Sequence, residues 1–402
     1  MNESIAGTNT DPSQTIPVGT QNERIPFIDA VRSFALAGII VVHFVDQFNQ
    51  LPAHEQNLTH SLLLDAWIHK LSGLFLYGKM YLLFSCLFGV SFWITREKAL
   101  NKSTNFTLWF WCRTLLLFGL GMAHQSYYPD DFLVDYALLS PVLILTARLA
   151  DRYVILLACI LLLHPIEIID LFDQYTKQTS VHQNESLLDA IQDTHSAAPV
   201  SASFSIRSGV SIVLKWLAGK GSQTAGLFLV GMIMARHRAL QSNHTIRWVL
   251  CLTGCTMLSI LLYLTRLRFY QSSLDPAIGG RIDTILNFHF SIFMATSILS
   301  VLRLLWIHSK TAATVMTLSN VFGRMSLTHY LSHTLIGMFI FGTIGLGLAG
   351  KMGCGSSALM AIILILLQWT FSKIWIRHFK RGPLEALWRD ATSKLCLILS
   401  GK

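Results

Sequence analysis

Three groups of residues carry side chains able to move protons or hold charge. The first lies in GMAHQSYYPDDFLVDYALLSP, where His124, Asp130, Asp131, Asp135 and Tyr136 fall close together. A histidine beside a carboxylate can be fixed in one tautomer and made more basic, which suits a general base working near neutral pH. The same residues also read as an exposed polar turn at an outer surface, because Tyr-Tyr-Pro-Asp-Asp is good turn chemistry. On the residues alone the turn is the stronger reading. The second group is Asp29, Arg32, His43 and Asp46, which at helical spacing fall within an arc of about 100° and span roughly 25 Å of rise. Either one helix face is polar from end to end, or Asp29 and Arg32 form an i,i+3 pair at one interface while His43 and Asp46 sit at the other. The third is GRMSLTHYLSH, which sets His329 and His333 at i,i+4, a spacing that can bind a metal. No HExxH glutamate accompanies them, and hydrogen bonding between helices is the commoner use of membrane histidines, so no metal site is expected. Asp283, Asn287 and His289 read as a packing network.

The elements that must position these groups are apolar. The chain is 52% hydrophobic and 13% charged, against about 25% charged in soluble domains. Windows of spanning length, about 18 to 22 residues, lie near 27–48, 76–95, 106–124, 131–149, 152–170, 221–237, 246–265, 283–306, 326–349 and 357–376. The fold class is therefore all-α, a polytopic membrane helix bundle of about ten spanning helices. A soluble enzyme would need charged helix faces between such runs. The net charge of +9 belongs to the loops, with Arg96, Lys98, Lys102, Arg148, Arg152, Arg236, Arg238, Arg247, Arg303, Lys310, Arg377, Lys380 and Arg381 on alternate ones. This pattern speaks for topology and against nucleic acid as a partner, and it puts both termini in the cytoplasm. Arg266, Arg268 and Arg281 dissent. Residues 1–22 read as a disordered polar tail. Residues 23–170 and 220–395 read as two transmembrane halves, and 171–219 as an extracytoplasmic segment in which 206–219 can lie flat on the membrane. The seven cysteines show no disulfide or zinc framework.

One further signal is weak. GLGLAG at 345–350 fits GxGxxG but closes an apolar window with no strand before it, and no Walker motif or GxSxG elbow is present. In contrast, RIPFIDAVRSFALAGI, KMYLLFSCLFGVSF, LFGLGMAHQSYYPDDFLVDYAL, FGRMSLTHYLSHTLI and RHFKRGPLEALWR together resemble, in order, the YeiB-like family of bacterial inner-membrane proteins that carry domain of unknown function 418. Through its D-x-x-R start the N-terminal half is similar to transmembrane acetyltransferases of the heparan-glucosaminide type. The resemblance implies transfer of an acyl group from cytoplasmic acyl-CoA, a co-substrate rather than a bound cofactor, to a hydroxyl or amine reached from the opposite side. It implies His124, Asp131 and Tyr136 as catalytic residues, and Asp29, Arg32, His43, Arg324 and His329 as binding residues. Ser33, Asp130 and His329 depart from the family's usual Gly, Gly and Asn, and His43 stands where Asn is more frequent. The partners implied are the bilayer, a small-molecule, lipid or glycan acceptor, and a second copy of the chain. The competing function is a proton-coupled transporter or lipid flippase, in which the same buried charges form a path between two five-helix halves.

Overall fold

The computed structural model describes residues 25–49, 63–100, 105–129, 131–165, 167–169, 171–172, 220–270 and 276–400. The polar tail, the interfacial segment at 206–219 and Asp130 lie outside them. Among the described residues the chain is helical throughout and contains no strand. The first helix, α1 (Pro26–Val42), opens with a proline at its first turn and Asp29 at its positive end, then continues into a π-helical turn at His43–Gln47. Next come α2 (Leu63–Phe75), α3 (Lys79–Leu100), α4 (Phe106–Gln125), α5 (Leu133–Leu139), α6 (Pro141–Thr146) and α7 (Asp151–Leu162). The second half holds α8 (Ser222–Arg236), α9 (Thr245–Tyr270), α10 (Pro276–His308), α11 (Lys310–Arg324), α12 (Ser326–Phe341), α13 (Cys354–His378) and α14 (Pro383–Leu399).

Among the described residues six helical stretches are long and apolar enough to cross a membrane: α1 with its π turn, α2 together with α3, α4, α9, α10 and α13. The protein is thus a multi-pass helical membrane protein, but length alone does not deliver ten spans. The other four windows hold shorter helices, because Pro141 divides α5 from α6 and because α7, α8 and α12 run for only 12, 15 and 16 residues. Exposed Leu250, Met257, Ile260, Leu261 and Leu264 on α9, and Leu359, Ile363, Leu366 and Leu367 on α13, would make a very large apolar patch in water. In a bilayer they face lipid.

Two close approaches set the frame that holds the site. A Cβ on Gly89 would lie 2.0 Å from the Phe228 carbonyl oxygen, and one on Gly231 would lie 1.9 Å from that of Cys86. Only glycine lets α3 and α8 touch backbone to backbone there. Tyr81 pairs with Thr224, Phe88 stacks on Phe228 and Arg236 lies over Trp93, so the two helices run parallel, α8 ending level with Trp93 while α3 continues to Leu100. On the other side α1 packs on α11 through Ser33. Its hydroxyl oxygen accepts from the Gly323 N–H at 2.8 Å and lies 2.7 Å from the Ser319 carbonyl, to which it can donate. A Cβ on Gly323 would meet Asp29 O at 2.2 Å.

Candidate functional site

His124 occupies the last turn of α4, the end far from Phe106, and Asp131 lies just before α5. The turn between them brings the two together. His124 Nδ1 stands 3.1 Å from Asp131 Oδ1, and both side chains are fully excluded from solvent. The same oxygen accepts a hydrogen bond of 2.7 Å from the Tyr330 hydroxyl of α12. His124 approaches off the hydrogen-bond axis, so among the described residues neither of its ring nitrogens has a partner, and Asp131 Oδ2 has none either. Buried polar groups are nearly always satisfied, which makes three orphaned atoms in one place a mark of a site rather than of a scaffold. The exposed turn expected from the sequence is thereby corrected. The rings of Tyr127, Tyr128 and Tyr330, at 4.9, 5.8 and 5.5 Å from that of His124, close over the pair.

His43 and His333 continue the cluster. His333 Nε2 lies 2.9 Å from His43 Nδ1, and its Nδ1 lies 3.1 Å from the carbonyl of His329. A carbonyl only accepts, so in neutral His333 the proton is on Nδ1 and Nε2 accepts from His43 Nδ1–H. His43 opens the π turn, which also carries Gln47, the acceptor of the Tyr128 hydroxyl. π turns gather at functional sites because they re-aim side chains that a regular helix would direct elsewhere. Tyr330 touches both halves of the cluster, with its ring 5.3 Å from His333.

A cavity of about 760 Å³ runs from one end of the bundle to this cluster. Its floor includes Phe132, Leu133, Tyr136 and Tyr330, and its walls include Phe84, Phe88, Phe92 and Leu117. Arg32, Lys98, Arg113, Arg324, Arg381 and Arg389 also line it, with a single carboxylate, Glu385. That carboxylate is already committed, since it accepts from the Leu327 and Thr328 N–H groups and from the Thr328 hydroxyl at 2.8, 3.1 and 2.6 Å, capping α12 from α14. The cavity is therefore basic at its mouth and aromatic at its base.

The sequence-predicted residues fall into three places. His124 and Asp131 are together, with His43 beside them. Arg32, Arg324 and Tyr136 line the cavity; Arg32 donates to Asp29 and to Ser91, both at 2.8 Å, and Tyr136 bonds Ser85 at 2.7 Å. His329 stands apart, stacked on Phe322 and 2.5 Å from Ser372 of α13. The polar stripe on α1 is broken up: Asp29 serves Arg32, His43 serves His333, and Asp46 accepts from Ser72 and pairs with His69. Two of the family departures have structural uses, since Ser33 fastens α1 to α11 and His329 fastens α12 to α13. The network read at Asp283 and Asn287 centres on Arg266, which binds both. Sequence reasoning missed Tyr330, Arg113 and Arg389. Tyr330 adjoins His329 in a motif already in view, but nothing local ties it to Asp131.

Fold and site define a multi-pass helical membrane protein with a basic-mouthed cavity that ends on Tyr330, behind which lies a buried histidine–carboxylate pair. Residues 24–174 match the family model for the catalytic region of heparan-alpha-glucosaminide N-acetyltransferase, and residues 234–394 match that of the protein family of unknown function DUF418. The chain is 26% identical to the uncharacterized protein YxaH of Bacillus subtilis (strain 168), over 92% of this chain and 94% of that one. It is 23% identical to an uncharacterized 39.9 kDa protein from the amylase 3' region of Bacillus acidopullulyticus, again over 92% and 94%. A further stretch of 72 residues is 42% identical to the uncharacterized protein YeiB of Escherichia coli (strain K12), covering 17% of this chain and 18% of that one. No solved structure matches. The second half of the chain is thus similar to the DUF418 family, and one stretch of the chain to YeiB.

Proposed function

We propose that the protein is a transmembrane acyltransferase that takes an acyl group from acyl-CoA at one end of the bundle and delivers it to a hydroxyl or amine. The observation that carries this reading is the cavity, basic at its mouth and ending on Tyr330, whose hydroxyl is bonded to the carboxylate beside His124. The phosphates of the donor suit Arg32, Lys98, Arg324, Arg381 and Arg389, with Arg able to grip phosphate through two parallel bonds. The aromatic walls suit the neutral arm that carries the thioester.

In this reading Asp131 holds the His124 proton on Nδ1 and leaves Nε2 free to act as base. Nε2 takes the proton of the acceptor O–H or N–H as the acceptor atom bonds to the thioester carbonyl carbon. The tetrahedral adduct then breaks its C–S bond, and the thiolate leaves with a proton as free CoA. Nothing else is consumed. The acceptor is a small molecule, lipid or glycan arriving from the end nearer His124. The family resemblance and the loop charges support a bacterial inner membrane with both termini cytoplasmic, an orientation in which donor and basic mouth share a compartment. Self-association is proposed on the same footing.

Purified full-length protein, supplied with acetyl-CoA and with a long-chain acyl-CoA, should release free CoA. His124→Ala should lower that release by about 10²- to 10⁴-fold. Absence of hydrolysis or transfer with every donor would overturn the proposal. So would substrate flux in proteoliposomes that is abolished by Asp29→Asn or Arg32→Gln while no covalent product forms, since that is the behaviour of a transporter.

A further inference from the structure

A second cavity, of about 700 Å³, lies between α3, α8, α9 and α10. It opens toward the same end of the bundle as the first, because α3 and α8 run parallel and each cavity is lined by residues at the C-terminal end of one of them. Its depth is apolar, formed by Leu82, Leu83, Leu227, Val230, Ile292 and Leu299. Its mouth is the turn from α8 to α9, which contributes His237, Arg238, His244 and Arg247, and no carboxylate lines it. The turn is built, not loose. Arg303 donates to Ser242 O and to Asn243 Oδ1 at 3.3 and 2.9 Å, and the Trp248 indole donates to Ser242 O at 3.1 Å. Arg238 holds φ +49°, a left-handed conformation that a residue with a Cβ rarely adopts. Arg236 and His237 are committed to Asp151, at 2.6 and 2.8 Å, whereas neither Arg238 nor Arg247 has an ion partner among the described residues.

The volume is that of a small-molecule site. Inside a bilayer, apolar walls attract a hydrocarbon chain no more strongly than neighbouring lipid does, so selection must come from the head group. Two uncommitted arginines at the polar boundary, with the neighbouring Asp151 already held by Arg236 and His237, select a phosphate that carries net negative charge. We propose that this cavity binds one anionic phospholipid, with an acyl chain in the depth and the phosphate between Arg238 and Arg247. The site is independent of the histidine–aspartate pair.

The test uses the full-length protein, stripped of lipid in detergent, with retained lipid counted by native mass spectrometry. Dioleoylphosphatidylglycerol should remain bound to one site through activation that removes dioleoylphosphatidylcholine. Each arginine replaced should weaken retention about five-fold, so Arg238→Gln with Arg247→Gln should lower it by roughly twenty-fold or more. Both side chains are exposed, so the double variant folds. Val230→Trp, which fills the depth, should lower it as well, and Lys98→Gln in the first cavity should leave it unchanged. Equal retention of the two lipids, or undiminished retention by the arginine double variant, overturns the proposal. Displacement of the lipid by millimolar glycerol phosphate would also overturn it, as a site for a soluble phosphate.

Discussion

Asp131 Oδ1 accepts from Tyr330 and lies 3.1 Å from His124 Nδ1, while Oδ2 has no hydrogen-bond partner among the described residues, an arrangement that a purely structural carboxylate would not keep, since each orphaned buried atom costs about 1–3 kcal/mol. The phenol therefore sets the carboxylate, and the carboxylate faces the histidine. Asp131→Asn should therefore reduce CoA release by about 10³-fold, because an amide no longer demands the Nδ1–H tautomer. Tyr330→Phe keeps the ring on the cavity floor and removes one bond, so its loss should be about ten-fold. Steady-state CoA release by the two variants checks the order, and equal losses would mean that Tyr330 acts on substrate rather than on Asp131. The sequence makes His124 and Asp131 visible because they flank one turn. Tyr330 stands 199 residues from its partner, and no spacing rule reaches that far.

Between helices, one side chain joins three elements. Arg236, at the end of α8, donates to the Thr146, Ala147 and Leu149 carbonyls at 3.2, 3.1 and 3.0 Å and to Asp151 at 2.6 Å, while its guanidinium lies over Trp93. It thereby closes the carbonyl end of α6 and orders the start of α7. Arg236→Ala should cost about 3 kcal/mol, read as a lower midpoint of thermal unfolding in detergent. Asp151 is an exposed partner, so Asp151→Asn should cost no more than about 1 kcal/mol. The Arg236 hydrogen bond holds the Asp151 carboxyl below its ordinary range. Its contribution is then complete above the unfolded value and disappears as pH falls through the lowered one. The gap in midpoint between wild type and Asp151→Asn should begin to narrow below about pH 4 and keep narrowing as pH falls further, and a gap that does not change with pH would assign it to something other than charge. Arg236 looks in the sequence like one more loop cation. Only the meeting of α8 with α6 and α7 gives it this use, and only the parallel contact through Gly89 and Gly231 fixes that meeting.

For the molecule as a whole, hydropathy made the class legible and each apolar window holds a helix, but it passed over α2, α11 and α14 and could not divide spans from shorter helices. α8 and α12 carry apolar runs but stop after 15 and 16 residues, short of a bilayer by length. The dissenting charges have a related explanation. Arg266 is bound by both oxygens of Asp283 and by Asn287, so it is an internal pair between α9 and α10 and not a free topological signal. Removing it from the count strengthens the rule that basic loops share one side, and both cavities open on that side. Glu97, Arg238 and Asp390 are exposed near the two mouths, and Lys351 is exposed between α12 and α13, where Met352 accepts from Asn49 beyond the π turn of α1. Cysteine placed at Glu97, Arg238 or Asp390 should react with a membrane-impermeant maleimide, above the wild-type background, only in inside-out vesicles. Cysteine at Lys351 should react only in right-side-out vesicles. Labelling of Glu97→Cys and Arg238→Cys from opposite sides would break the parallel pairing of α3 with α8, and with it the common end on which donor and lipid sites both depend.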